Sequence, residues 1–130
     1  MEDLIREFIN ERIWAVVGAS TNADKYGNRI FRALLDAGYA VYGVNAGGGE
    51  IAGQQLYHSL ADLPEKPAVV DTVVPPPITE QIVQQCAELG LTRIWMQPGS
   101  ESPQAIALCE QHGIKVVHGA CAMIRRRSWN

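Results

Sequence analysis

Five short, largely apolar runs, each closed by a glycine, an asparagine, a proline or a glutamine, constrain the fold of this chain more than any other feature of its sequence. The runs lie at residues 13–17, 40–44, 69–74, 93–96 and 115–118. The first, Ile-Trp-Ala-Val-Val, carries no charge and ends at Gly18. A strand that is apolar on both faces is typical of a parallel sheet covered on both sides. The runs begin roughly 22 to 29 residues apart, which is the spacing of successive strand–helix units.

Helical patterns fill the intervals between these runs. Near the start of the chain, apolar side chains recur at Leu4, Ile5, Phe8 and Ile9, one face of a helix with 3.6 residues per turn. Three later helical faces follow: Ile30, Phe31, Leu34 and Leu35; Ile82, Val83, Cys86 and Leu89; and Ala105, Ile106, Leu108 and Cys109. A glycine comes after each of the three, at positions 38, 90 and 113, where it closes a helix at little energetic cost.

The order of these elements predicts an α/β fold with three layers: a doubly wound, five-stranded parallel sheet, Rossmann-like, with helices on both faces. A chain of 130 residues that is 47% hydrophobic has enough apolar surface for one domain with its own core. We expect a single domain over residues 1–130. It comprises an N-terminal helix at 1–12, the sheet and its crossover helices at 13–124, and a basic tail at 125–130. The prolines at 75–77 are placed in a loop at a strand end.

Charge and composition exclude several classes of function. The net charge of -3 disfavours a nucleic-acid partner, because such proteins carry a basic footprint. No apolar run approaches the ~18 residues of a membrane span. The first twelve residues lack the apolar centre of a signal peptide, so we expect a cytoplasmic protein. The three cysteines, Cys86, Cys109 and Cys121, form no CxxC motif and are interpreted as reduced thiols.

The loops that follow the predicted strands are where a ligand is expected, since doubly wound sheets bind ligands at the carboxyl ends of their strands. These loops are rich in glycine, serine, asparagine, glutamine and proline and hold almost no titratable side chain. Such a composition favours backbone and hydroxyl contacts with a ligand over acid–base catalysis. No histidine has a cysteine or carboxylate at ligand spacing, so we expect no metal site.

The loop after the first strand indicates a phosphate or nucleotide. Gly18 permits a sharp turn, and the helix that begins near Tyr26 offers free amides and the positive end of its dipole. The GxGxxG fingerprint is absent, and the second strand ends at Asn45 in place of the acidic residue that holds an NAD ribose. The details therefore disfavour NAD. The alternative is an ordinary strand–helix turn built of small residues.

A set of motifs follows in order along the chain. They are Gly18-Ala-Ser, Val44-Asn45, Gly53, Tyr57-x-Ser59-Leu60-Ala61-Asp62-Leu63-Pro64, Val69-Val70-Asp71 before Pro75-Pro76, Trp95-x-Gln97-x-Gly99, and Cys121-x-Met123. With these motifs the chain resembles the family of small stand-alone CoA-binding proteins. Their domain is similar to the CoA-binding domain of the succinyl-CoA ligase alpha subunit. The resemblance covers residues 10 to 125.

The resemblance implies a Rossmann-like domain that binds coenzyme A or an acyl-CoA across the strand ends. The candidate site comprises Gly18, Ala19, Ser20 and Thr21 around the phosphates, Lys25 and Tyr26 beside them, Asn45 near the adenosine, Val74 and Pro75 along the ligand, and Met96, Gln97 and Pro98 at the pantetheine arm. The ligases have a second domain with a phosphorylated histidine, which this chain is too short to hold. We therefore expect a non-catalytic carrier, sensor or regulatory module.

Three positions depart from the family pattern. Asn45 is followed by alanine where the family has proline, and Gly119-Ala120 stands where the family has Asp-Arg. The glycines at 47–49 stand where a basic residue is common. The last departure leaves the 3′-phosphate of CoA without an evident partner, unless Lys25 or the arginines at 125–127 supply the charge.

Several alternatives stay open. Cys121 is either a reactive thiol near the ligand or a partly buried structural cysteine. Asp71, inside a buried strand, bonds either to neighbouring backbone or to ligand. An NAD(P)- or acyl-CoA-dependent enzyme with Cys121 at its site is the alternative function, and an interaction module is a third. A protein partner or a homo-oligomer also stays open, with Trp129 exposed or at an oligomer contact.

Overall fold

The computed structural model describes residues 1–130 and confirms the five-stranded parallel sheet. Its strands are β1 (Ile13–Val17), β2 (Ala40–Val44), β5 (Val69–Thr72), β6 (Arg93–Met96) and β7 (Lys115–Val117), in the order β2-β1-β5-β6-β7. The helices are α1 (Glu2–Ile9), α2 (Tyr26–Asp36), α3 (Pro76–Leu89), α4 (Pro103–Gln111) and α5 (Ala122–Arg125). The chain passes from β1 to β2 on one side and later returns to β5 on the other. The switch point of the sheet therefore lies between the carboxyl ends of β1 and β5.

Two apolar cores cover the two faces of the sheet, as the predicted three layers require. Alternate residues of β1 divide between them: Trp14 packs with α1 and α2, whereas Ala15 packs with α3 and α4. On the first face, Trp14 and Trp95 lie with ring centroids 5.7 Å apart. Both faces of each central strand are thus buried, which is why the strands appear in the sequence as largely apolar runs.

Two local features differ from the sequence-based expectation. A hairpin of β3 (Glu50–Ile51) and β4 (Gln54–Gln55) was not predicted, because two-residue strands carry no measurable periodicity. The prolines at 76 and 77 do not lie in a loop; they form the first turn of α3. A first-turn residue needs no amide hydrogen for the helix, and the fixed φ of proline suits that position.

The basic tail packs against the fold. The Trp129 amide donates to the Ala37 carbonyl over 2.7 Å, and the Asn130 side chain donates to the Asp36 carbonyl over 2.8 Å. The Trp129 ring is half-buried, with the Arg127 guanidinium 4.1 Å from its centroid, so it is not fully exposed. The tail thus covers the carboxyl end of α2, which lies at the amino ends of the strands. None of the helices is long and apolar enough to cross a membrane.

Candidate functional site

Two glycines allow very close packing at the switch point. Gly18 follows β1 with φ +101°, and a Cβ built on it would lie 2.4 Å from the carbonyl oxygen of Val73. A Cβ on Gly27, in the first turn of α2, would lie 2.0 Å from the carbonyl oxygen of Gly18. Any larger residue at position 18 would force the loop away from Val73, and any larger residue at position 27 would force α2 away from Gly18. These two glycines therefore set the position of the β1–α2 loop.

Asn45 joins the loops that follow β1 and β2. Its side-chain nitrogen donates to the Ala19 carbonyl over 2.8 Å, and its side-chain oxygen accepts from the Gly47 amide over 2.8 Å. Gly49 lies close enough to Thr21 that a Cβ would be 2.6 Å from the threonine methyl. The Asn45 amide group is therefore used within the protein, and its role here is to hold the two loops together.

The β1–α2 loop presents unused donors. Ser20 accepts from the Asn22 amide through its hydroxyl, and its carbonyl accepts from the Asn28 side chain. The backbone amides of Ser20 and Thr21 donate to no group of the protein. The first turn of α2 likewise leaves its own amides free, as every helix does. Together they form a set of N–H groups suited to an anion.

An apolar cavity of about 280 Å³ lies at the carboxyl ends of β1 and β2. The ten residues that line it are Val17, Gly18, Val44, Asn45, Ala46, His58, Val74, Ile78, Ile82 and Gln85. Ile78 is 39% exposed, although it is a large apolar side chain on a helix of the domain. Apolar walls with a few polar groups at the rim are the usual composition of a small-molecule site.

A second cavity of about 400 Å³ lies beside the first, at the ends of β5 and β6. Residues 73–76 form one wall and residues 97–100 the other. Val74 lines both cavities, so the two lie next to each other along the strand ends, and we refer to them together as the groove. Below it, the buried Ser100 hydroxyl bonds to Thr72 at 2.9 Å and to Thr79 at 2.7 Å. These bonds hold the 97–100 loop against α3.

Both polar atoms of the Gln97 side chain form hydrogen bonds within the protein and are not free for a ligand. Its nitrogen donates to Oδ2 of Asp71 over 3.0 Å, and its oxygen accepts from the Ala122 amide over 3.3 Å. Asp71 is wholly buried, and its other carboxyl oxygen has no partner. Burial raises the pKa of Asp71 well above its usual range, and the Gln97 bond opposes this only in part. Asp71 thus bonds to a side chain 26 residues away and not to neighbouring backbone.

We expect this buried carboxyl group to make stability depend on pH. Because its pKa is raised in the folded protein, folding favours the protonated form, and stability falls as the pH rises above the unfolded value of about 3.9. Asp71→Asn retains an oxygen for Gln97 and cannot ionise. The stability advantage of Asp71→Asn over the natural protein should therefore grow between pH 4 and pH 8, by at most about 1.4 kcal/mol per pH unit. Urea unfolding at each pH measures this difference, and an equal pH slope in both proteins would contradict it.

Cys121 and Tyr26 contact each other beside the groove. The Tyr26 hydroxyl lies against the Cys121 thiol, and burial together with this contact raises the pKa of Tyr26. Cys121 is 9% exposed and lines neither cavity of the groove. Burial raises the pKa of both Cys86 and Cys109 to about 12, which fits their place in the core.

The structure brings together half of the twelve predicted site residues. Those that line the groove are Gly18, Asn45, Val74, Pro75, Gln97 and Pro98. Those that do not line it are Ala19, Ser20, Thr21, Lys25, Tyr26 and Met96. Met96 is fully buried in the core on the α3 face, so its side chain does not reach the groove.

Sequence reasoning missed the walls that α3 and the β4–β5 connection supply. Ile78, Ile82 and Gln85 lie on one face of α3, and His58 follows the hairpin. The sequence placed Ile82 on an apolar helical face without assigning it to the site. His58 was not among the predicted site residues.

Comparisons with known proteins identify the family of this chain. A family model described as a CoA binding domain matches residues 12–127. The chain belongs to the CoA-binding domain family. Among curated relatives of this CoA-binding domain, the alpha subunit of ADP-forming acetate–CoA ligase II from Pyrococcus furiosus is 27% identical over 128 residues. The alignment covers 90% of this chain but only 28% of that subunit.

Two solved structures resemble the CoA-binding domain over nearly their whole length. A hypothetical protein from Pyrococcus horikoshii has a TM-score of 0.90 and 32% identity, covering 96% of this chain and 89% of its own. A conserved hypothetical protein from Pyrococcus furiosus has a TM-score of 0.83 and 39% identity, covering 87% of this chain and 97% of its own. The fold is therefore found both in small proteins and as part of much longer ligase chains.

Proposed function

We propose that this CoA-binding domain binds CoA or an acyl-CoA along the carboxyl ends of its strands, as a non-catalytic carrier, sensor or regulatory module. The observation that carries the proposal is the groove in which an apolar cavity and a more polar one meet at Val74, beside the free amides of the β1–α2 loop. CoA is a long ligand with a flat base at one end, phosphates beside it and a pantetheine arm. Its base suits the apolar cavity, its phosphates suit the free amides, and its pantetheine arm suits the more polar cavity.

Each part of the ligand has chemically suitable neighbours. The adenine ring would lie against Val44, Ile78 and Ile82, which offer apolar surface of the kind that flat bases bury. The pyrophosphate would lie near the free amides of Ser20 and Thr21. The pantetheine arm, with two amides, would follow Val74 into the second cavity.

The chemistry of the lining supports a binding role over catalysis. His58 is the one titratable side chain among the residues that line the two cavities. Cys121, the residue on which an acyl-CoA enzyme would depend, is buried against Tyr26 outside them. Turnover of a panel of acyl-CoAs that is lost in Cys121→Ser would overturn the non-catalytic role.

Isothermal titration with CoA, acetyl-CoA, NAD and ATP tests the proposal. We expect CoA or acetyl-CoA to bind saturably and NAD to bind far more weakly, because no acidic residue follows β2 to hold the NAD ribose. Comparing CoA with acetyl-CoA also separates the free thiol from the acylated form as the preferred ligand. Saturable binding of NAD, without binding of either CoA compound at millimolar concentration, would contradict the proposal.

A further inference from the structure

The 3′-phosphate that distinguishes CoA from other adenine nucleotides needs a partner that the glycine loop does not supply. Residues 46–49 are Ala-Gly-Gly-Gly and hold no cation. The three tail arginines lie elsewhere: Arg127 stacks on Trp129, Arg125 pairs with Glu2 at 2.7 Å, and Arg126 lines a separate cavity beside Asp36. Lys25 is exposed and lines neither cavity. The arginines therefore lie outside the groove, and Lys25, at the N-cap of α2, belongs to the loop that we assign to the pyrophosphate and not to the apolar cavity.

His58 is the one titratable residue that lines the groove. It lines the apolar cavity together with Asn45 and Ala46, and its Nδ1 lies 2.9 Å from the Ala46 carbonyl oxygen. Because a carbonyl only accepts hydrogen bonds, Nδ1 carries the proton of the neutral ring. Nε2 makes no hydrogen bond within the protein and is the nitrogen that is free to gain a proton and donate to a ligand.

The glycine loop is shaped around this imidazole. A Cβ on Gly48 would lie 2.9 Å from Cε1 of His58, and Gly48 has φ +70°, a conformation that other residues rarely adopt. The ring thus occupies space that a side chain at position 48 would otherwise fill. The loop that lacks a basic residue is the one that accommodates a histidine from the next segment of the chain.

We propose that His58 recognises the 3′-phosphate of the bound CoA and determines the specificity of the site for CoA over its dephosphorylated form. This inference rests on the proposed function. In the complex, the imidazolium form of the ring, in which both nitrogens are donors, donates a charge-assisted hydrogen bond from Nε2 to a phosphate oxygen. No carboxylate lines the cavity to compete for that imidazole.

Titration with CoA and with 3′-dephospho-CoA tests this assignment. We expect the natural protein to bind CoA about tenfold or more tightly than dephospho-CoA, the range of one charge-assisted hydrogen bond. His58→Gln should bind the two ligands about equally, because the preference for CoA depends on the imidazole. His58→Arg should restore the preference, because guanidinium is a good phosphate ligand. Thermal melts of both variants check that the fold is intact.

The possible failures are distinguishable. A natural protein that binds neither ligand would contradict the proposed function itself. Equal binding of both ligands by the natural protein would contradict the His58 assignment alone. If His58→Gln weakens both ligands equally, the ring supports the loop and does not recognise the phosphate, so the assignment is wrong. Loss of the preference in Lys25→Gln but not in His58→Gln would assign the phosphate to Lys25 and overturn the inference.

Discussion

Gly18→Ala is expected to lower the free energy of unfolding by about 2 to 4 kcal/mol and to weaken CoA binding by an order of magnitude or more. The alanine methyl would lie 2.4 Å from the Val73 carbonyl oxygen and 2.9 Å from Val74 Cγ1, and φ is +101°. The clash is with backbone, so no side chain can rotate to relieve it. The loop must move away from β5, and the Ser20 and Thr21 amides move with it.

Gly113→Ala is the matched control for this substitution. Gly113 also has a positive φ, +68°, but a Cβ there meets no atom within 4 Å. It lies between α4 and β7, at the amino ends of the strands and away from the groove. We expect only the cost of the left-handed backbone, about 1 kcal/mol, and no change in CoA affinity. Urea unfolding and calorimetric titration measure both quantities. Equal effects of the two substitutions would show that the close approach of Gly18 to Val73 has no role.

Val74→Asp is expected to reduce CoA affinity by about a hundredfold or more. Val74 is the residue shared by the two cavities of the groove, so every ligand that spans the groove passes it. The substitution removes apolar surface, worth about 1 kcal/mol or more, and adds a negative charge beside an anionic ligand, which costs several kcal/mol at an interface. A loss of 2.7 kcal/mol already corresponds to about a hundredfold.

Val116→Asp separates loss of binding from loss of stability. Val74 and Val116 are both partly buried, and both pack against the core on the α3 and α4 face. Val116 lies on the edge strand β7 and lines no cavity of the groove. We expect the two aspartates to lower the melting temperature comparably, while only Val74→Asp loses CoA. Comparable CoA affinity in the two variants would place the ligand outside this groove.

The sheet could be predicted because its strands are covered on both faces. A strand such as β1 must be apolar at every position, and the resulting run is visible without any knowledge of its neighbours. The helix ends at Gly38, Gly90 and Gly113 were equally local, since each has the positive φ that glycine favours. The β3–β4 hairpin, with two residues per strand, leaves no such pattern.

The site was less predictable because its walls come from distant segments. Met96 ends β6 and Gln97 follows it, yet Met96 packs in the core on the α3 face and Gln97 bonds to Asp71 on β5. Which of two successive residues faces a cavity depends on strand parity and on what packs above it. His58 is brought to Ala46 by the hairpin between them, so its role depends on a turn that the sequence did not reveal.

A titration of 15N-labelled protein with CoA, followed by backbone amide NMR, tests the central claim most directly. The account predicts saturable shifts at Gly18, Thr21, Val74 and Gly99, which lie along the groove and its phosphate loop. The amide shift of Gly113, at the amino ends of the strands, should stay unchanged. The absence of saturable shifts, or shifts confined to the amino ends of the strands, would contradict a CoA site at the carboxyl ends of the strands.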